Sequence, residues 1–222
     1  WRHRPGRSLL APVALLAAAA AGAGFVCAAR GRRPQSPGGR GADVSPALHA
    51  TAASAPATAG AGTGEGPAAL FKRLFSADQR PVVLYDGVCN MCNRAVDVAL
   101  QNDPQGDHLR FAALQSEVGR GLLAYCGRNR DDLSSMIVVQ PDGRCLVKSD
   151  AALFVGRQLE ESPVLRGASE AASRLLPKAV RDVAYNALAA NRYRVLGRRD
   201  QLRVDEDGRG DRFVPDAAAA GA

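Results

Sequence analysis

The residues best suited to carry chemistry are two cysteines, Cys89 and Cys92, in the run Cys-Asn-Met-Cys. They follow a short β-rich run, Pro81–Tyr85, and precede apolar residues at helical spacing, so we place the pair where a strand passes into a helix. Unpaired backbone N–H groups at a helix start carry partial positive charge, which favours the nucleophilic thiolate. The sequence therefore predicts a redox-active dithiol at this junction.

Each residue of the motif has an expected role. Cys89, at the helix edge, is the candidate for attack on a disulfide, and Cys92 is expected one turn deeper on the same face. Cys92 is then placed to attack the mixed disulfide formed on Cys89 and so release the product. Asp86 is the candidate to cap the helix or to exchange a proton with the thiols. Because a nearby carboxylate also opposes thiolate formation, the net effect of Asp86 on reactivity stays open.

Other uses of a cysteine pair place different demands on the sequence. A zinc site needs four ligands, so Cys126, Cys145 and His108 would have to converge from separate elements. Covalent haem attachment requires histidine at the position that Asn93 occupies. A purely structural disulfide within the pair is an alternative if the protein is exported. We therefore expect no metal and no organic cofactor, and we predict that Cys126 and Cys145 are small buried apolar residues.

The surrounding sequence alternates strand-like and helical segments and ends in a helical C-terminal extension. This order predicts an α/β fold with a helix-covered sheet over 70–214, followed by a disordered tail at 215–222. A turn at 141–143 makes a hairpin of the last two strands, and Ser149 or Asp150 is expected to cap the helix that follows. The predicted strands are 81–85, 109–114, 135–140 and 144–148, and the predicted helices are 89–101, 117–125, 149–159, 164–176 and 178–196.

The N-terminal part of the chain has the composition of a leader. Residues 1–29 combine arginines with an uncharged run, Leu9–Ala29, which predicts a cleaved secretory signal or, alternatively, a retained membrane anchor. Residues 30–69 are rich in Arg, Gly, Pro, Ala, Ser and Thr, which predicts a disordered, transit-like segment. Together they resemble two-part plastid leaders, so we expect delivery to a plastid. Because the first residue is Trp1, we also expect the natural start to lie upstream.

The net charge of this 222-residue chain, +7, belongs to the leader. Residues 1–42 contain seven Arg and no acidic residue; since the chain has 29 Lys and Arg and 22 Asp and Glu, residues 43–222 are neutral overall. A neutral body with 5% aromatic residues excludes the basic, base-stacking surface of a nucleic-acid-binding protein. Arginines near the C-terminal end are interpreted as a solvated helix end: Arg192, Arg194, Arg198, Arg199 and Arg203.

Further motifs follow the dithiol in a fixed order along the chain. They comprise Val83–Cys92, Arg110–Ser116, Ser149–Ala151, Tyr185, Ala190–Arg194 and Gly197. These motifs resemble those of the DCC family of thiol-disulfide oxidoreductases, which is named for its Asp-x-x-Cys-x-x-Cys sequence. The resemblance implies a thioredoxin-like core and plastid relatives, and it assigns the activity to the motif aspartate and cysteines, Asp86, Cys89 and Cys92.

The chain departs from related patterns at two places. Thioredoxins have a cis-proline just before the third strand, facing the dithiol, whereas Leu133–Met136 contains no proline and Pro141 falls beyond the strand. Some DCC family members have a further cysteine after the C-terminal Arg/Gly motif, where this chain has Asp200–Leu202. The resemblance therefore does not extend to substrate docking of the thioredoxin kind.

Two hypotheses follow. The first is a thioredoxin-like plastid oxidoreductase that acts on a protein or small-molecule thiol or disulfide, without nucleic acid, and at a membrane only if the leader is retained. The second, favoured by the absent cis-proline and the helical extension, is a binding or assembly module whose dithiol is structural or vestigial. A reduction potential of the Cys89–Cys92 pair far below about −300 mV would indicate an inert structural bond.

Overall fold

The structure, a computed structural model, describes residues 65–203 and 210–216. The predicted leader, 1–29, lies outside these residues, as do 30–64 of the predicted linker and 217–222 of the predicted tail. The strands are β1 Val82–Tyr85, β2 Arg110–Ala113, β3 Ile137–Val139 and β4 Cys145–Val147. The helices are α1 Pro67–Ala77, α2 Asn90–Asn102, α3 Glu117–Tyr125, α4 Lys148–Arg157, α5 Pro163–Leu175 and α6 Lys178–Leu196.

The four strands form one mixed sheet in the order β2-β1-β3-β4. β1 and β2 run parallel with α2 as their crossover, whereas β3 is antiparallel to both β1 and β4. Helices flank this sheet, and α5 and α6 extend the chain beyond it. The predicted α/β, thioredoxin-like fold with a helical C-terminal extension is confirmed.

Apolar side chains fill both faces of the sheet because neighbouring residues of a strand point to opposite sides. Val83 and Tyr85 of β1 belong to the apolar cluster on the side of α2. Val82 and Leu84 belong to the cluster on the side of α1 and α3. All four side chains are buried, and β1 is one of the two inner strands of the sheet, so the residues that follow it begin from a fully packed strand end.

Polar contacts fix α6 against the start of α4. Neither Ser149 nor Asp150 caps α4, because the helix already begins at Lys148 and has no side-chain cap. Instead, the Ser149 backbone N–H donates to Asp182 at 3.3 Å, and Arg181 pairs with Asp150 at 2.8 Å. The cap prediction is therefore wrong, and these residues hold α6 in place. Among the helices of the described residues, none combines the length and hydrophobicity that a membrane span requires.

A disulfide joins Cys126 and Cys145, so the prediction that they are separate buried apolar residues is wrong. Cys126 follows the end of α3, and the β3–β4 hairpin brings Cys145 to within 5.9 Å of it, measured between Cα atoms. Cys145 pairs with Val139, which pairs with Val82 at the start of β1. The disulfide therefore lies at the end of the sheet opposite the Cys89–Cys92 pair, which follows the end of β1.

Removing this disulfide is expected to destabilise the domain without altering the distant thiols. The double variant Cys126→Ala/Cys145→Ala should lose about 3 kcal/mol of unfolding free energy, because its unfolded chain regains the entropy of an open loop. Urea unfolding of the oxidised wild type and the variant measures the difference. Equal midpoints and slopes for the two proteins would contradict a stabilising bond.

Candidate redox site

The turn after β1 brings the motif residues together at the start of α2. Cys89 is the N-cap residue of α2, and its Sγ accepts a hydrogen bond from the Cys92 backbone N–H at 3.4 Å. Both cysteines are free thiols. Asp86 does not cap this helix; its carboxylate accepts from the backbone N–H of Val88 at 3.2 Å within the turn. The side chain that caps α2 is therefore that of Cys89, through its sulfur atom.

The two thiols perturb each other in opposite directions. A hydrogen bond from the Cys92 thiol lowers the pKa of Cys89 to about 7, helped by backbone N–H groups and opposed by burial and by the Asp86 charge. The same hydrogen bond raises the pKa of Cys92, and burial and nearby negative charge add to the rise, whereas Arg192 counters it. As the pH rises through neutrality the pair therefore loses one proton, and the negative charge that forms lies on Cys89.

The solvent exposure of the two residues is unequal. Cys89 is fully buried, with 0% of its surface exposed, whereas Cys92 is half-buried. Gly197 ends α6 with φ 77°, a conformation that glycine adopts readily, and the chain turns back over the start of α2. The covering segment is 197–199, held by hydrogen bonds from Asn90 N–H to Gly197 O at 3.3 Å and from Arg199 N–H to Val88 O at 2.8 Å.

The carboxylate of Asp86 is buried and surrounded by donors. It is 3% exposed and forms an ion pair with Arg192 of α6 at 3.2 Å. Gln115 donates to it at 2.7 Å, and the Tyr193 hydroxyl donates to its second oxygen. A buried carboxylate needs such partners, because an unpaired charge in the interior is strongly unfavourable. Asp86 thus connects α6 to the turn that carries the thiols.

A cavity of about 70 Å³ opens beside Cys92, between β1, α2, the segment before β3, and α6. Its walls are mainly apolar, and they also include Ser135, Tyr185 and Arg192. The Tyr185 hydroxyl accepts a hydrogen bond from the Met136 backbone N–H at 2.9 Å, and burial raises the pKa of this tyrosine to about 12. Cys92 is the cysteine of the pair that lines the cavity.

Comparison with known proteins assigns the chain to a family. Residues 83–198 match the family described as DCC1-like thiol-disulfide oxidoreductase. The chain belongs to this family. The predicted family resemblance is confirmed, and membership supports a redox role at the level of the family.

Two curated relatives of this DCC1-like protein come from distant organisms. A chloroplastic DCC family protein of Arabidopsis thaliana is 41% identical over 131 residues, which cover 59% of this chain and 73% of the relative. The uncharacterized protein YuxK of Bacillus subtilis strain 168 is 37% identical over 134 residues, which cover 60% of this chain and 93% of the relative. No solved structure matches the chain.

The contacts of Arg192 and Arg203 correct the interpretation of the C-terminal arginines as a solvated helix end. The side chain of Arg192 is 12% exposed and pairs with Asp86, and that of Arg203 is 4% exposed and pairs with Asp97 at 2.6 Å. The interpretation is wrong for both, because α6 crosses the dithiol and the chain returns over it. Arg192 belongs to the C-terminal motif of this DCC1-like protein, which was the available signal for a role at the site.

The alternative zinc arrangement does not form within 65–203 and 210–216. Cys126 and Cys145 are bonded to each other, and His108 pairs with Glu160 at 2.8 Å. Across these described residues, no group of three or more His, Cys, Asp or Glu side chains is arranged to hold a metal ion.

Proposed function

We propose that this DCC1-like protein is a dithiol–disulfide oxidoreductase in which Cys89 and Cys92 alternate between two thiols and one disulfide. The observation that carries the proposal is the placement of the pair: Cys89 is the N-cap residue of α2, its Sγ accepts from the Cys92 backbone N–H at 3.4 Å, and both cysteines are free thiols. Thiol–disulfide exchange requires a thiolate, and the hydrogen bond between the two thiols lowers the pKa of Cys89 to about 7, so the pair begins to lose one proton near neutral pH. Such a pair is poised to react at neutral pH.

The burial of the pair favours roles for the two cysteines that differ from those expected from the sequence. Cys89 was the candidate for first attack, but the segment 197–199 covers it, whereas Cys92 lines the cavity. We therefore assign the substrate-facing role to Cys92. Cys89 then holds the negative charge in the resting state and later attacks Cys92 to release the product.

The two cysteine sulfur atoms and the substrate disulfide account for every bond, proton and electron of the reaction. The shared proton passes from Cys92 to Cys89, and the Cys92 thiolate attacks the substrate disulfide and releases one substrate thiolate. That thiolate takes the proton from Cys89, whose sulfur attacks Cys92 Sγ and releases the second substrate thiolate. Two electrons pass to the substrate, and the Cys89–Cys92 disulfide remains. The reverse sequence oxidises a dithiol substrate.

Asp86 acts in this proposal as a positioning residue rather than as a proton carrier. Arg192, Gln115 and Tyr193 already occupy its carboxylate oxygens. Its negative charge raises the pKa of both thiols, so it limits the amount of thiolate while its ion pair holds α6 against the site.

Turnover of a small disulfide tests the proposal. The wild type should accelerate the reduction of hydroxyethyl disulfide by dithiothreitol. Cys92→Ser should not, because it lacks the attacking sulfur, and Cys89→Ser should be slower than the wild type, because only dithiothreitol can then release the arm bound to Cys92. The Cys126→Ala/Cys145→Ala variant is the matched control and should retain the wild-type rate, because its missing disulfide lies at the other end of the sheet. Wild type without activity would instead support a binding module with a structural dithiol.

The pH dependence of the thiols follows from the direction of their shifts. In a Cys27→Ala/Cys126→Ala/Cys145→Ala background, which keeps only Cys89 and Cys92 of the five cysteines, ultraviolet thiolate absorbance should rise in one step with a midpoint near pH 7, since the pKa of Cys89 is about 7. The thiolate predominates above this pH and is lost below it. Cys92, whose pKa is raised, should add no step near neutrality. A two-thiol step near the unperturbed value of 9.0 would contradict the assignment.

We also propose that the protein acts in a plastid. The leader composition supports this proposal, as does the chloroplastic relative from Arabidopsis thaliana, although the Bacillus subtilis relative places the family outside plastids as well. A fluorescent protein fused behind residues 1–69 should accumulate in the plastids of algal cells. Accumulation in the secretory pathway or at its membranes would support the alternatives.

A further inference from the structure

We propose that the cavity beside Cys92 binds one arm of a neutral alkyl disulfide that carries a carbonyl group, so that this dithiol acts on small apolar disulfides. The inference rests on the proposed function and adds the class of substrate. Its basis is the shape, charge and hydrogen-bonding capacity of the cavity.

The size and lining of the cavity suit a short carbon chain. Its volume of about 70 Å³ is several times the roughly 10–15 Å³ that one water molecule requires. Val83, Val96, Phe111, Met136 and Leu188 supply much of the wall. Transfer of an apolar arm from water to such a wall is favourable by about 25 cal/mol for each Å² that is buried.

The backbone of Met136, beside the cavity, offers no free pairing group to an extended peptide. The N–H group of Met136 donates to the Tyr185 hydroxyl at 2.9 Å, and its carbonyl accepts from the Lys148 N–H at 3.3 Å. Protein substrates that bind as an added strand need free backbone groups at the edge they join. Since both groups of Met136 are used, the site favours a small molecule over a protein disulfide.

Two charged side chains line the cavity and neutralise each other. Asp86 and Arg192 both line it, and they pair with each other at 3.2 Å. A charged arm would lose its hydration inside apolar walls; the negative charge of the deprotonated dithiol offsets part of this loss for an ammonium arm and adds to it for a carboxylate arm. The cavity therefore selects neutral arms over ammonium or carboxylate arms of the same length.

One polar group in the wall lacks a partner. Ser135 is 5% exposed, and within the described residues its Oγ forms no hydrogen bond. A buried hydroxyl without a partner is unfavourable, so it favours a ligand that can accept its proton in a hydrogen bond. A carbonyl oxygen in the bound arm supplies that acceptor while Cys92, in the same cavity, attacks the disulfide.

Single-turnover rates with three disulfides of similar size test the inference. Diacetylcystamine has neutral arms with carbonyl groups, cystamine has ammonium arms, and dithiodipropionate has carboxylate arms. Reduced protein is mixed with each, the mixture is quenched with acid, and the thiol products are quantified. Dividing each rate by that of the same disulfide with free dithiothreitol removes differences in intrinsic reactivity. We expect diacetylcystamine to exceed both charged compounds by at least about tenfold.

Two variants in the cavity wall and one control variant outside it test whether the cavity causes the preference for neutral arms. Ala189→Leu fills part of it and should lower the diacetylcystamine rate about tenfold. Ala187→Leu is the control on the same helix, because Ala187 is exposed and does not line the cavity. Ser135→Ala should slow diacetylcystamine about fivefold, the effect of one hydrogen bond, and should slow dipropyl disulfide, which has no carbonyl, by much less.

The outcomes separate this inference from the function on which it rests. If neither hydroxyethyl disulfide nor any of the other compounds reacts, the proposed function fails. If disulfides react but neutral and charged arms give equal relative rates, the function stands and the substrate class is wrong. Faster reduction of insulin, a protein disulfide, than of diacetylcystamine, or an unaltered preference in Ala189→Leu, would overturn the inference in the same way.

Discussion

A Cys89→Ser variant is expected to form a stable mixed disulfide at Cys92, whereas a Cys92→Ser variant is expected to form none under native conditions. Cys92 lines the cavity, and Cys89 is 0% exposed beneath the segment 197–199. Without Cys89, the adduct on Cys92 has no second sulfur to release it, so it accumulates. In the turnover assay Cys92→Ser should fall to the background rate, and Cys89→Ser should be slower than the wild type, because only dithiothreitol can then release the arm from Cys92.

Mass spectrometry of the intact protein measures this difference directly. Both variants are made in a Cys27→Ala/Cys126→Ala/Cys145→Ala background, so that each keeps one cysteine of the five in the chain. They are reduced, freed of reductant and treated with hydroxyethyl disulfide at mildly alkaline pH. Cys89→Ser should gain the mass of one arm. The loss of Cys89 also removes the hydrogen bond and charge that raise the pKa of Cys92, while Arg192 still lowers it.

Unfolding provides the control for this experiment. In guanidinium chloride both variants should gain one arm, because neither thiol is then covered by the fold. A native Cys92→Ser variant that gains the arm as fast as Cys89→Ser would show that Cys89 meets the substrate. The sequence-based order of attack would then hold, and the segment 197–199 would have to open during the reaction.

The parts of the fold that the sequence predicted well depend on local signals. Glu117–Tyr125 and Lys178–Leu196 are helices with the predicted bounds. The first has an N-cap serine, Ser116, whose side chain accepts from the backbone N–H of Gly119 at 3.0 Å, and a glycine close to its end. Strand β1 is a continuous apolar run bounded by turn residues. Such signals lie within a few residues of the element that they define.

The parts that the sequence did not reveal depend on contacts between distant segments. Asp86 and Arg192 are 106 residues apart, and no periodicity relates a turn after β1 to the last turns of α6. Cys126 and Cys145 meet only because the β3–β4 hairpin folds back beside the end of α3. Cys89 is buried because Gly197 redirects the chain over it. These contacts cover Cys89 and leave Cys92 at the cavity. The sequence therefore predicts the dithiol but not which of its two cysteines lines the cavity.

Replacing Arg192 with leucine is expected to lower the unfolding free energy by about 3 kcal/mol, because a buried charge loses its counter-charge. Asp86 is 3% exposed and would keep its hydrogen bonds from Gln115 and Tyr193 but not its ion pair. Urea unfolding measures the loss. Arg194→Leu is the matched control on the same helix; its exposed side chain bonds only weakly to Asn191, so it should change stability by less than about 0.5 kcal/mol.

The double variant Asp86→Asn/Arg192→Leu separates lost packing from the unpaired charge. Asparagine is neutral, so the double variant should recover most of the stability that Arg192→Leu loses, and the two changes should be non-additive by about 2 kcal/mol. A double variant that loses the sum of the two single effects would show that the ion pair is not a coupled unit.

Thiol titration tests whether the charge of Asp86 also affects the pKa values of the two thiols. The Asp86 charge raises the pKa of both thiols, so Asp86→Asn alone should move the thiolate midpoint below that of the wild type. A residue that merely stabilised the fold would leave this midpoint in place. A lower midpoint in Asp86→Asn would therefore establish that Asp86 sets the proton balance of the dithiol as well as the position of α6.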